Sequence, residues 1–162
     1  MKVARSYEYE ARTPDIAVML SMPGLDYLRG VLRGDFPAAP IAATLNFFPT
    51  EFDPGRAVFE GIPERFAYNP LGDIHGGWAA TILDSALGCA VHSTLPAGKY
   101  YTTVDLSVSL VRAITEKTKR VRCEANIIHS GSSVATAEAK LVDDRGNLCA
   151  HGTTTCLVMV PR

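Results

Sequence analysis

The chain has no run approaching the ~18 consecutive apolar residues that a membrane-spanning helix needs. It has no Cys-x-x-Cys pair among its four cysteines, Cys89, Cys123, Cys149 and Cys156, and each sits in an apolar run. That spacing reads as small buried side chains in a reducing compartment. Its four histidines, His75, His92, His129 and His151, include no i, i+4 pair, so no zinc site is expected. It lacks excess charge of either sign: 16 Lys and Arg stand against 17 Asp and Glu, a formal net charge of −1. No basic stripe marks a nucleic-acid partner. Residues 1–10 mix charges with tyrosines and lack the apolar core of a signal peptide. Together these absences point to a cytoplasmic protein with no membrane or nucleic-acid partner.

What is present is a folded composition. Of 162 residues, 47% are apolar, enough for one domain with a core that needs no covalent staples. Residues 1–40 read as an arm. Leu25, Leu28 and Leu32 make one apolar stripe at i, i+3, i+7, Pro23 can start a short helix there and Gly34 can end it. Pro37 and Pro40 are expected to force an extended connection. The main domain is expected over 41–162. Residues 45–52 and 56–62 read as strands around the Asp53-Pro54-Gly55 turn. Residues 77–93 read as a helix apolar on nearly every side, which requires burial. Four strands follow, at 103–110, 120–127, 133–142 and 148–160. In the first of them apolar and polar residues alternate strictly, as in a half-buried strand. Helix and sheet are segregated, so the class is α+β: a curved antiparallel sheet wrapped around one long helix, preceded by a helical arm.

The chemistry concentrates in 69–84, Asn-Pro-Leu-Gly-Asp-Ile-His-Gly-Gly-Trp-Ala-Ala-Thr-Ile-Leu-Asp. A glycine-rich turn runs into the apolar helix. Gly76 and Gly77 allow a ligand to approach their backbone. The helix start offers N–H groups without intrahelical partners and a dipole that favours negative charge. Asp84 lies among apolar neighbours, where a charge must be paired or used. Each residue also has a plainer reading. Asp84 can be a structural buried acid, His75 a loop organiser, Asn69 an ordinary turn residue and Thr103 a β-former on the polar face. Trp78 can be core or pocket wall, and Ile82, Leu87 and Phe48 are further candidates for that wall. Gly131-Ser132-Ser133 imitates a nucleophile elbow, but a strand pattern follows where an elbow needs a helix.

The pattern Asn69, Gly72, His75-Gly76-Gly77 and Asp84 resembles the phenylacetate-pathway (PaaI-type) acyl-CoA thioesterases of the hotdog fold. The strand from Thr102 to Leu106, the His129-Ser130-Gly131 turn and the Asp144-Arg145-Gly146 hairpin add to the resemblance, which covers about 45–160. It implies hydrolysis of acyl-CoA to a carboxylic acid and CoA, with no cofactor beyond the CoA of the substrate. By position it implies that the Gly76 N–H polarises the thioester carbonyl and Asn69 places that carbonyl or the water. It makes Asp84 the base or nucleophile and lets Thr103 orient the water. His75 completes the catalytic set, and Gly77, Trp78 and Arg112 are expected at the substrate. The family site forms between two protomers, so a homodimer at least is implied, with pairing into a homotetramer left open. The chain departs from the family at Ala113, where Pro is common, and at Ser132, where a basic residue is common. Arg112, Lys117, Lys119 and Arg120 lie near enough in sequence to replace a CoA phosphate contact, or form a solvated turn. Two alternatives remain: a hotdog enoyl-CoA hydratase or dehydratase using His75 with Asp84, and a non-catalytic acyl-CoA binder or sensor.

One constraint follows from the helix itself. Gly76 and Asp84 are eight residues apart, about 12 Å along the axis. One carbonyl cannot touch both within a single helix, so the segment reads as two half-sites that need a second chain.

Overall fold

The computed structural model describes residues 2–11 and 15–161. The arm expected over 1–40 includes Met1 and residues 12–14, which lie outside the described residues. Among its described residues the arm carries two helices where one was expected: α1 (Ile16–Leu20) and α2 (Gly24–Arg33). The Asp15 side chain accepts from the Ala17 N–H at 2.9 Å and starts α1. Gly34 ends α2 in the left-handed conformation, at φ 81°. A third helix, α3 (Pro40–Leu45), replaces the extended connection expected at Pro40. Proline is suited to a first helical turn, because its ring presets φ and its missing N–H would have no partner there. Leu45, read as the start of a strand, is the last residue of this helix.

Six strands follow the expected order: β1 (Phe47–Asp53), β2 (Arg56–Gly61), β3 (Tyr100–Leu110), β4 (Val121–Ser130), β5 (Val134–Asp143) and β6 (Leu148–Met159). They form one antiparallel sheet in the order β1-β2-β4-β5-β6-β3. Between β2 and β3 runs α4 (Gly76–His92), the long apolar helix. Ile82, Leu83, Ala86, Leu87, Ala90 and Val91 are fully buried on it, facing Ala57, Cys123, Ala125, Leu141 and Cys156 of the sheet. A helix apolar all round can be covered only by a sheet that curls about it. The four cysteines are free thiols. Among the described residues no helix is long and apolar enough to cross a membrane.

β3 departs from the half-buried strand that its alternation suggests. It pairs with β6 on one side only and lies at the sheet edge, with Val104 60% and Leu110 57% exposed. A β-bulge interrupts its register between Thr103 and Asp105. Before the bulge Tyr101 and Thr103 face α4; after it Val108 and Leu110 do. One extra residue switches the face on which side chains fall. That switch turns Thr103 inward from the polar side on which simple alternation places it.

Candidate active site

The loop ahead of α4 is shaped by its own side chains. Asn69 Oδ1 accepts from the Leu71 N–H at 2.8 Å and from the Asp73 N–H at 3.2 Å, closing a tight turn. The His75 N–H donates to Ala67 O at 2.7 Å, and the Ile74 N–H to Ile114 O at 2.9 Å. His75 is the N-cap of α4: its Nδ1 accepts from the Gly77 N–H at 2.9 Å. The Trp78 N–H turns back to His75 O at 2.9 Å. The Gly76 N–H has no acceptor among the described residues and remains a free donor at the positive end of the helix. A Cβ on Gly76 would stand 2.5 Å from Leu110 Cδ1, so the end of β3 closes over this turn.

Two turns further along, Asp84 is half-buried and faces β3. Thr103 Oγ1 donates to Asp84 Oδ1 at 3.3 Å. The pair opens into a cavity of about 650 Å³. Its walls are largely apolar: Tyr27 and Leu28 of α2, Ala42 of α3, and Phe47, Phe52 and Phe59 of β1 and β2. Ser85, Cys89 and His92 of α4 line it beyond Asp84, as do Tyr100 and Tyr101 of β3. Burial, with Asp84 nearby, pushes the Cys89 thiol up to about 12, so it is a poor nucleophile. Burial alone pushes His92 down to about 4, so the ring is neutral.

The expected site residues therefore fall into two groups. Asp84 and Thr103 share the cavity. Gly76, Gly77, His75 and Asn69 share the helix-start loop, which does not line that cavity within one chain. Trp78 lies in neither: it is 3% exposed, in the core, and its Nε1 donates to Leu45 O at 2.7 Å. Ile82 and Leu87 are fully buried core residues, and Phe48 faces outward while its neighbour Phe47 lines the cavity. Arg112 is exposed beyond the end of β3, with its backbone N–H donating to Cys149 O at 3.1 Å. Its cation helps hold the Asp143 carboxyl below the usual carboxylate range, after the larger effect of the Asn147 side chain. The wall from α2 and α3 went unread in the sequence. Its only signal was the Leu25, Leu28, Leu32 stripe, which shows that a helix packs but not what it packs against.

The model of the thioesterase superfamily matches residues 71–150, a stretch that holds Gly76, Asp84 and Thr103. A candidate esterase of Halobacterium salinarum is 40% identical over 73 residues, 44% of this chain and 46% of that protein. The chain thus matches about half the length of that curated relative. Among solved structures, a candidate thioesterase of Ralstonia eutropha, described as phenylacetic acid degradation-related, is 28% identical with a TM-score of 0.74. That alignment covers 81% of this chain and 98% of the other. A Streptococcus mutans protein bound to acetyl-CoA shares the fold at 20% identity, with a TM-score of 0.65 over 72% of this chain and 91% of its own. The six-stranded antiparallel sheet wrapped on α4 is the hotdog architecture, and residues 71–150 match the thioesterase superfamily.

Proposed function

We propose that the protein hydrolyses acyl-CoA thioesters to a free carboxylic acid and CoA. The observation that carries this reading is the apolar cavity that ends on the Asp84–Thr103 pair. The acyl group fills the cavity and brings its carbonyl carbon to the carboxylate. Asp84 takes a proton from water, or attacks the carbonyl itself, and Thr103 orients the attacking oxygen. The tetrahedral oxyanion rests on the Gly76 N–H, at the positive end of α4. The C–S bond then breaks and CoA leaves as a thiolate, which needs no strong acid to depart; where Asp84 is the nucleophile, water then hydrolyses the acyl–Asp84 anhydride, releasing the acid and restoring the carboxylate. Asn69 and His75 hold the loop that aims the Gly76 N–H, and Gly77 leaves room for the thioester. Arg112 is the cation proposed for the CoA moiety, the carrier bound by the Streptococcus mutans protein of the same fold. No metal or redox cofactor enters these steps.

The donor lies at the start of α4 and the carboxylate two turns further along it, about 12 Å away, so the reading requires a homodimer. Gly76 and Asn69 of one protomer then serve Asp84 and Thr103 of its partner. The unpaired edge of β3, with exposed Val104, Leu106 and Leu110, supplies a joining surface. The experiment is a panel of aryl-, arylacetyl- and fatty-acyl-CoAs assayed for thiol release with wild type and Asp84→Asn. The expected outcome is turnover by wild type and a loss of at least ~10²-fold in the variant. Equal rates would remove Asp84 from the chemistry.

A further inference from the structure

One face of β6 carries a hydroxyl that packing alone does not call for. Ala150, Gly152, Thr154, Cys156 and Val158 alternate along the strand and are all buried on the side that meets α4. Thr154 supplies the one hydroxyl of that row and is 2% exposed. A hydroxyl taken out of water costs free energy unless it is bonded, and Val has the same branched shape without that cost. The bond it makes is therefore the feature to explain.

Thr154 Oγ1 donates to Asp105 O at 2.8 Å. Asp105 is the residue at which β3 resumes its ladder after the bulge: Thr103 pairs with Cys156, Asp105 with Thr155 and Leu106 with Thr154. The proton of Thr154 is spent on that carbonyl, so its oxygen is left to accept. The Cys156 thiol lies 3.8 Å from it. Burial is the first cause that pushes this thiol up, so it keeps its proton and can donate. The result is a short chain from Cys156 through Thr154 to the backbone of the bulge, in which each bond polarises the next. β3 needs such a tie. It is an edge strand with β6 as its one partner in the sheet. A slip of one residue would carry Thr103 to the outer face and bring Thr102 or Val104 toward Asp84.

We propose that Thr154 is a positioning residue of the active site, whose hydroxyl pins the bulge of β3 and so keeps Thr103 turned toward Asp84. Thr154 does not line the cavity and acts through Thr103 alone. This rests on the proposed hydrolase reading for the part that the Asp84–Thr103 pair plays in turnover, but not for the pinning itself.

The test compares Thr154→Val, which exchanges the hydroxyl for a methyl, with Thr154→Ser, which keeps the hydroxyl. Two quantities are read. The first is steady-state thiol release from an acyl-CoA that the wild type hydrolyses. Thr154→Val is expected to lower kcat about fivefold with KM nearly unchanged, the scale of one lost hydrogen bond, and Thr154→Ser to stay near wild type. In a Thr103→Val background Thr154→Val lowers kcat no further, because the side chain through which it acts is gone. A role in general stability would not be masked in this way. The second quantity is amide hydrogen exchange over residues 103–106, followed by nuclear magnetic resonance, which needs no turnover. Exchange there quickens in Thr154→Val and not in Thr154→Ser. An unchanged kcat in Thr154→Val, a loss that adds to that of Thr103→Val, or unchanged exchange at the bulge would each overturn the proposal. If the wild type turns over no acyl-CoA, the hydrolase reading fails by itself, and exchange alone decides whether the hydroxyl holds the bulge.

Discussion

Thr103 Oγ1 donates to Asp84 Oδ1 across 3.3 Å and ties the edge strand of the sheet to the middle of the central helix. The bond exists because the bulge after Thr103 turns this side chain inward. If the hydroxyl orients water for Asp84, Thr103→Val lowers kcat about tenfold, with KM nearly unchanged. Thr103→Ser retains most of the activity. Steady-state kinetics on any hydrolysed acyl-CoA checks this, and a Val variant of unaltered kcat would leave Thr103 as a β-former only.

The buried ring of His92 sets an acid-side stability window. Its pKa is depressed to about 4 by burial, against 6.5 when exposed. Between those values the unfolded chain binds more protons than the native one, so stability falls as pH drops from about 6.5 to about 4. Below that the loss levels off. The span corresponds to on the order of 3 kcal/mol at most. Thermal unfolding from pH 7 to 4 should show the slope in wild type. It should be flattened in His92→Phe, and parallel slopes would contradict the assignment.

Gly24 lets α2 touch the end of α4. A Cβ there would stand 1.9 Å from the carbonyl oxygen of His92, and the Gly24 N–H donates to Leu95 O at 2.9 Å. The obstacle is backbone, which cannot swing aside. Gly24→Ala should cost about 1–3 kcal/mol, as overpacking does. In a chain of this size each kcal/mol lowers Tm by roughly 2–4 °C. Because Tyr27 and Leu28 line the cavity, acyl-CoA affinity should fall with it. Calorimetry showing an unchanged Tm would mean that α2 is not held in this way.

The free edge of β3 is the surface on which the two half-sites are proposed to meet. Val104→Lys places a charge on that edge, a device by which sheet edges resist pairing. It should shift a dimer toward monomer in light scattering and remove hydrolysis, while circular dichroism stays that of the wild type. A wild type that is monomeric at micromolar concentration yet fully active would end the shared-site reading.

Glu124 reports on the outer face of the sheet, at lower pH. The Arg56 side chain, donating at 3.1 Å, and then Arg122, at 2.8 Å, hold its carboxyl down to about 2. A depressed carboxylate contributes stability above its unfolded value, near 4.5, and loses it as pH falls toward 2. Its side chain is 35% exposed, so the effect is small and screened by salt. Glu124→Gln should narrow the difference in Tm between pH 5 and pH 2.5, and high salt should mute that change.

Local rules reach far in this chain. Turn signals and the patterning of apolar and polar residues locate all six strands to within three residues at each end. The apolarity of 77–93 on nearly every side announces a helix that only a surrounding sheet can bury. The Gly-Gly start and the later Asp84 show that donor and carboxylate lie too far apart to act within one helix, since helical rise is fixed at about 1.5 Å per residue. Pro40 misleads, because the same fixed φ serves an extended link and a first helical turn.

What local order does not decide is which surfaces meet. That Thr103 faces Asp84 depends on a one-residue bulge set by pairing with β6, some fifty residues away. That Phe47, Phe52 and Phe59 line the cavity while Trp78 fills the core depends on where α2 and α3 rest against β1 and β2. That His92 is buried near Tyr27 and Tyr101, with no hydrogen-bond partner among the described residues, depends on three elements distant in sequence. Periodicity determines which face of an element is apolar; long-range packing determines whether that face meets core, cavity or solvent.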